Sequence, residues 1–167
     1  MIIIGIDPGT ATTGFGVIKK TKNDKLELIE YGCITTEKNL NSAKRLEKLY
    51  KEITSLIKKY KPDIVAVEDI FFFKNLKTAI KVSQARGVIL LSIIKNKAKL
   101  LEFTPLQIKQ AVACYGRADK NQVQQMVKTL LNLKKIPKPD DAADALAIAI
   151  CAANTYNSIE INNKPKQ

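Results

Sequence analysis

Four carboxylates in this 167-residue chain stand where acidic side chains are costly, and they define the chemistry it could do. Asp7 ends a continuous apolar run, Ile2-Ile3-Ile4-Gly5-Ile6, and Glu68 ends another, Ile64-Val65-Ala66-Val67. Asp141 and Asp144 lie three apart at the head of an alanine-rich stretch, so on a helix they share one face with Cβ atoms about 5–6 Å apart. A carboxylate against an apolar core needs a cation, a donor or water. Several within a few ångströms of one another cannot all ionise without a counter-cation. Hard divalent ions with oxygen ligands, Mg²⁺ or Mn²⁺, meet that need. Two of them about 3.5–4 Å apart form the usual clamp for in-line displacement at phosphorus. The chain has no histidine, which removes the commonest general base and the commonest zinc ligand. Hydrolysis here must lean on carboxylates, lysine and hard cations. Plainer readings stand beside this one. Asp7-Pro8-Gly9 are all turn formers, and acidic residues in a first helical turn cap open amides and favour the macrodipole. Capping alone does not explain Asp144, which lies among Ala, Leu and Ile and is expected to be buried.

The elements that must carry these side chains follow from periodicity. The run from Ile2 to Ile6 reads as a strand buried on both faces, the centre of a sheet. Gly14 to Ile18, and a segment from near Leu26 to Ile34, read as strands two and three of an antiparallel meander with short loops. From Ser42 to Tyr60 the apolar residues recur at helical spacing, with lysines on the outer face, and Lys61-Pro62-Asp63 stops the helix. The strand at Ile64, reached through a helix, lies parallel to the first. Asp7 and Glu68 then meet at one edge of the sheet, the usual ligand site in such folds. A second helix spans Asn75 to Asn96, apolar around more of its circumference than one sheet face requires. That implies a partner helix, hence a homodimer, or full burial. Leu100 to Phe103 is the fifth strand. Thr104-Pro105-Leu106-Gln107 has the form of a capping box, Asp119 with Gln122 caps the next helix, and the last helix starts at Asp141. The expected architecture is α/β: a mixed five-stranded sheet, strands one to three antiparallel and strands four and five parallel, flanked by helices. Residues 1–156 form one domain and 157–167 a polar, disordered tail.

Charge and composition narrow the partners. Twenty-eight Lys and Arg against sixteen Asp and Glu leave a net charge of +12. Nucleic acid is the natural counterpart of so basic a domain. No apolar stretch reaches the roughly 18 residues of a membrane span and no charged-then-apolar leader precedes the first strand, so the chain is expected in the cytoplasm. Cys33, Cys114 and Cys151 are odd in number, without metal-like spacing, and are expected as buried free thiols.

Several segments together resemble the RuvC-type Holliday junction resolvases of the ribonuclease-H-like superfamily. They are Gly5-Ile6-Asp7-Pro8-Gly9-Thr10, Glu68 with Phe71, Gln84-Ala85-Arg86-Gly87-Val88, and Asp141-Ala142-Ala143-Asp144-Ala145-Leu146-Ala147. The resemblance implies a ribonuclease-H-like sheet and a metal-dependent endonuclease making symmetric paired nicks in four-way DNA junctions. It implies Asp7, Glu68, Asp141 and Asp144 as the catalytic, metal-binding set, with two Mg²⁺ or Mn²⁺ ions. It further implies Lys109 and Lys120 near the scissile phosphate, Phe71 stacking at the junction, a homodimer, and cooperation with a branch-migration complex of the RuvA and RuvB type. Arg86 and Lys81 extend the basic surface or solvate a helix. Ser83 departs from the glycine of many relatives, and Asp141 stands where some members have histidine. The alternatives are another ribonuclease-H-like nuclease acting on RNA, an actin-like ATPase or sugar kinase, and a non-catalytic junction-binding protein. The kinase would need a second lobe and a second glycine-rich loop, and the binding protein leaves the carboxylates unexplained.

Overall fold

The computed structural model describes residues 1–69 and 76–162, with side chains described for 1–69 and 79–156. Five strands form one sheet in the order β3-β2-β1-β4-β5. β1 (Ile2–Asp7) is central, pairing antiparallel with β2 (Thr12–Lys20) and parallel with β4 (Ile64–Glu68). β3 (Leu26–Thr35) lies outside β2, and β5 (Lys99–Phe103) runs parallel to β4 at the far edge. This is the mixed five-stranded sheet that the apolar runs predict.

Both faces of the sheet are covered, which is why its central strands read as unbroken apolar runs rather than alternating ones. Ile4, Ile6, Val17, Val65 and Val67 point to α1 (Ser42–Tyr60) and α2 (Leu76–Lys95), meeting Leu49, Ile53, Ile57, Ile89 and Ile93. Ile3, Ile18, Ile64 and Ala66 point to the opposite layer, where α5 (Asp140–Asn162) lies on the sheet beneath α3 (Pro105–Ala113) and α4 (Lys120–Leu130). The helix ends follow local chemistry. Asn41 caps α1, and Thr104 with Gln107 and Asp119 with Gln122 close reciprocal capping boxes on α3 and α4.

α5 approaches the sheet unusually closely. A Cβ on Gly5 would lie 2.1 Å from the carbonyl oxygen of Ala145, and one on Gly14 only 1.9 Å from that of Asp141. Glycine at these two strand positions lets the helix backbone rest on β1 and β2, with buried alanines such as Ala142, Ala145 and Ala149 filling what remains. That contact sets the height at which Asp141 and Asp144 stand over the sheet.

α5 runs to Asn162. One expectation changes. Cys151 is buried, but Cys33 is only partly covered and Cys114 is exposed. The apolar stretch of α3 ends at Cys114, whose left-handed φ of 54° makes it the helix C-cap and turns it outward.

Candidate active site

The parallel register of β1 and β4 aligns Ile6 with Val67, so Asp7 and Glu68 are neighbours at the C-terminal end of the sheet. Both ends are held. After Asp7 the loop is tied by Thr13 Oγ1, which donates to the Gly9 carbonyl at 2.7 Å. Thr36 Oγ1 donates to the Thr10 carbonyl at 2.7 Å, and Arg45 donates to the same carbonyl at 2.9 Å and to Thr36 Oγ1 at 2.7 Å. At the end of β4, the Asp69 amide donates to the Phe103 carbonyl at 2.8 Å. Arg86 Nε donates to the Glu68 carbonyl at 3.3 Å, and its guanidinium pairs with Asp69 at 3.0 Å and with Glu102. Arg86 is thus a brace behind Glu68, with its side chain only 20% exposed, rather than an extension of a free basic surface.

The four carboxylates sense one another electrostatically. Burial, followed by the charges of Glu68, Asp144 and Asp141, pushes the Asp7 carboxyl up to about 8 against the opposing pull of Lys120. Burial and Asp144 raise Glu68 to about 6, while Lys109 works the other way. Asp144 is also raised, by burial first, with Lys120 opposing. Asp144 is not buried as its apolar neighbours in sequence suggest; its side chain is 34% exposed. The reason is α4, which brings Lys120 Nζ to 2.9 Å from Asp144 and 3.4 Å from Asp140, so the carboxylate faces a cleft instead of the core. Burial alone would lower the Lys120 ammonium, but its hydrogen bond to Asp144 and the charges of Asp144 and Asp140 raise it. Lys138 at 2.6 Å from Asp140 draws that carboxyl down to about 2.

Among the described residues no three acidic or sulfur side chains are drawn together as a ready-formed ion cage. The donor set nevertheless fits a hard divalent cation. It consists of oxygen ligands only, and Asp7 and Glu68 are raised by burial and then by neighbouring carboxylates, both of which a bound cation would offset. Lys120 supplies part of that relief by its contact with Asp144.

A cleft of about 200 Å³ opens beside these groups, lined by Glu68, Asp144, Lys109 and Lys120 over Pro105 and Ile108. The two lysines arrive from different helices, Lys109 from the body of α3 and Lys120 as the first residue of α4. Six of the residues singled out by sequence, Asp7, Glu68, Asp141, Asp144, Lys109 and Lys120, therefore belong to one end of the sheet. Lys81 is exposed and borders a separate, much smaller cavity with Arg45, Thr10 and Gln84. Phe71 lies outside the described residues. Sequence reasoning missed Arg45, Asp69 and Glu102, which position the strand ends, and Gly14, whose missing side chain admits α5. Only Gly14 carried a local signal, as a glycine inside a strand pattern.

Comparison with known proteins agrees with this geometry. The family model described as crossover junction endodeoxyribonuclease RuvC matches residues 3–152. The chain is 53% identical over 161 residues to the crossover junction endodeoxyribonuclease RuvC of Alkaliphilus oremlandii, covering 96% of this chain and 98% of that one. The structure of Thermus thermophilus RuvC superposes with a TM-score of 0.87 at 32% identity, covering 95% of this chain and 96% of the other. T. thermophilus RuvC in complex with a Holliday junction substrate gives a TM-score of 0.86 at 30% identity, over the same shares of the two chains.

Proposed function

The chain belongs to the RuvC family of crossover junction endodeoxyribonucleases, which are DNA-cleaving, divalent-metal-dependent hydrolases, and we propose that it cuts four-way DNA junctions with the carboxylate end of its sheet. What supports this is the field at that end of the sheet, where burial first, and then the charges of Glu68, Asp144 and Asp141, lift Asp7 to about 8 in a protein of net charge +12. An acidic pocket inside a basic domain is poorly suited to hold DNA by itself and well suited to hold cations against DNA.

Asp7 and Glu68 from the strand ends, with Asp141 and Asp144 from the head of α5, would hold two Mg²⁺ or Mn²⁺ ions. Bound there, such ions polarise the phosphate and lower the pKa of attacking water. The chain's own side chains do the rest. Lys109 and Lys120 line the cleft with the carboxylates and place positive charge where the phosphorane develops negative charge. With no histidine in the chain, the proton of the attacking water passes to a carboxylate of the cleft.

Cutting a junction symmetrically takes two sites, and α2 supports a homodimer. Ile80, Leu91 and Ile94 are 55%, 54% and 60% exposed. With Gly87, which has open space where a Cβ would lie, they follow one another at seven, four and three residues and so fall along one stripe. Ser83 is exposed beside this stripe and is small enough to permit close approach. A branch-migration complex of the RuvA and RuvB type is the further partner that such an enzyme would serve. No helix among the described residues is long and apolar enough to cross a membrane, in keeping with action on DNA in the cytoplasm. The deciding assay compares a synthetic four-way junction, a linear duplex and a structured RNA, each with Mg²⁺ and with EDTA. Metal-dependent paired nicks confined to the junction are expected, and faster cutting of the RNA would refute the reading.

A further inference from the structure

The first turn of α3 and the turn joining α3 to α4 together present two large apolar side chains to solvent beside the cleft. Leu106 is 63% exposed and Tyr115 is 56% exposed. Exposed apolar surface grouped next to a functional site marks a contact rather than random composition. The turn is anchored, so Tyr115 is presented rather than frayed outward. Gln110 Nε2 donates to the Cys114 carbonyl at 3.2 Å, the Ala118 amide donates to the Tyr115 carbonyl at 3.0 Å, and Ala118 is 1% exposed. A Cβ on Gly116 would lie 2.5 Å from Leu106 Cδ1, so the Leu106 side chain rests directly on the turn that carries Tyr115.

Cations frame this surface. Leu106 stands one helical turn before Lys109, Arg117 is exposed two residues after Tyr115, and Lys120 follows at the start of α4. Pro105 and Ile108, on either side of Leu106 in sequence, already line the cleft. An apolar partner protein would bury so small a patch only by also covering unmatched ammonium and guanidinium groups. A nucleobase needs the opposite arrangement, an apolar platform with positive charge at the distance of its flanking phosphates.

We propose that Leu106 and Tyr115 form a stacking ledge for an unpaired nucleobase of the four-way junction, next to the phosphate that is cut. The assignment rests on the junction-cutting function above and adds a part to it: a second platform, on the helix layer that carries Lys109 and Lys120. Stacking uses the face of the Tyr115 ring and the methyls of Leu106, and the Tyr115 hydroxyl is dispensable.

The test uses the full chain and a synthetic four-way junction carrying 2-aminopurine at each nucleotide flanking the cleavage point in turn. Binding is read in EDTA and cutting in Mg²⁺. For the wild type, a change in 2-aminopurine fluorescence at one position is expected. In the double variant Leu106→Ala, Tyr115→Ala that change should vanish, and junction affinity in EDTA and the cutting rate at limiting enzyme should each fall about 5- to 100-fold, in line with the loss of one base stack. Tyr115→Phe should retain both signals. A double variant that stacks and cuts like the wild type overturns the ledge and leaves the junction-cutting function standing. A wild-type protein that does not cut the junction overturns that function and the ledge with it. A double variant whose sedimentation coefficient differs from that of the wild type assigns the patch to a second copy of the chain, and the ledge is then wrong.

Discussion

Replacing Asp7 by asparagine should make the metal-free protein more stable, although it removes one of the proposed metal ligands. The Asp7 carboxyl has an ordinary value of 3.8 and stands at about 8 in the folded chain. At pH 7 the folded state therefore retains a proton that the unfolded state has released. The gap of roughly three pH units, at about 1.4 kcal/mol per unit, corresponds to about 4 kcal/mol of lost stability. Water at the exposed edge of Asp7, and the sharing of repulsion among four coupled carboxylates, bring this to about 2–3 kcal/mol. The sign follows from proton binding. Between about pH 4 and 8 the native state binds more protons than the unfolded one, so wild-type stability in EDTA falls as pH rises and levels off above 8. Asparagine fills nearly the same volume without titrating. For a domain of this length, differential scanning calorimetry in EDTA at pH 7 should show Asp7→Asn melting about 5–10 °C above the wild type. The gap should narrow toward pH 5. Excess Mg²⁺ should raise the wild-type melting temperature, more at pH 8 than at pH 6, and leave the variant almost unmoved. An Asp7→Asn protein that melts at or below the wild type in EDTA at pH 7, with the same pH slope, would show that Asp7 is not held raised by burial and like charges.

Three further outcomes bear on the same framework. Gly14→Ala drives a Cβ to 1.9 Å from the Asp141 carbonyl oxygen, so α5 must shift; about 3 kcal/mol of lost stability in urea titration is expected, together with a smaller Mg²⁺-induced rise in melting temperature. Lys120→Met removes the ammonium 2.9 Å from Asp144; single-turnover junction cutting should slow about 100-fold with near-normal junction binding, and an unchanged rate would exclude Lys120 from the reaction. Ile94→Glu puts a charge on a residue that is 60% exposed on the α2 stripe; sedimentation should show a monomer of unaltered thermal stability, and an intact dimer would move the subunit contact elsewhere.

What the sequence determined by itself was the sheet and the identity of the acidic groups. Apolar runs such as Ile2–Ile6 and Ile64–Val67, short and rich in β-branched residues, read as strands covered on both faces, and the helix between them makes them parallel. Once they are parallel, the neighbourhood of Asp7 and Glu68 follows from the register. The capping boxes at Thr104 and Asp119 were equally legible, because their partners lie three residues away. Tertiary structure decided what depends on distant segments meeting. Asp144 faces a cleft and Lys120 because α4 crosses the head of α5, a contact between residues 24 apart in the chain. Arg86 braces Asp69 and Glu102 because the middle of α2 packs against β5. The depth at which α5 sits is set by the absence of side chains at Gly5 and Gly14, which no periodicity encodes. Local pattern specifies which residues are buried and which end an element; only packing between elements specifies which charges face one another, because electrostatic energy depends on separation in space and not along the chain.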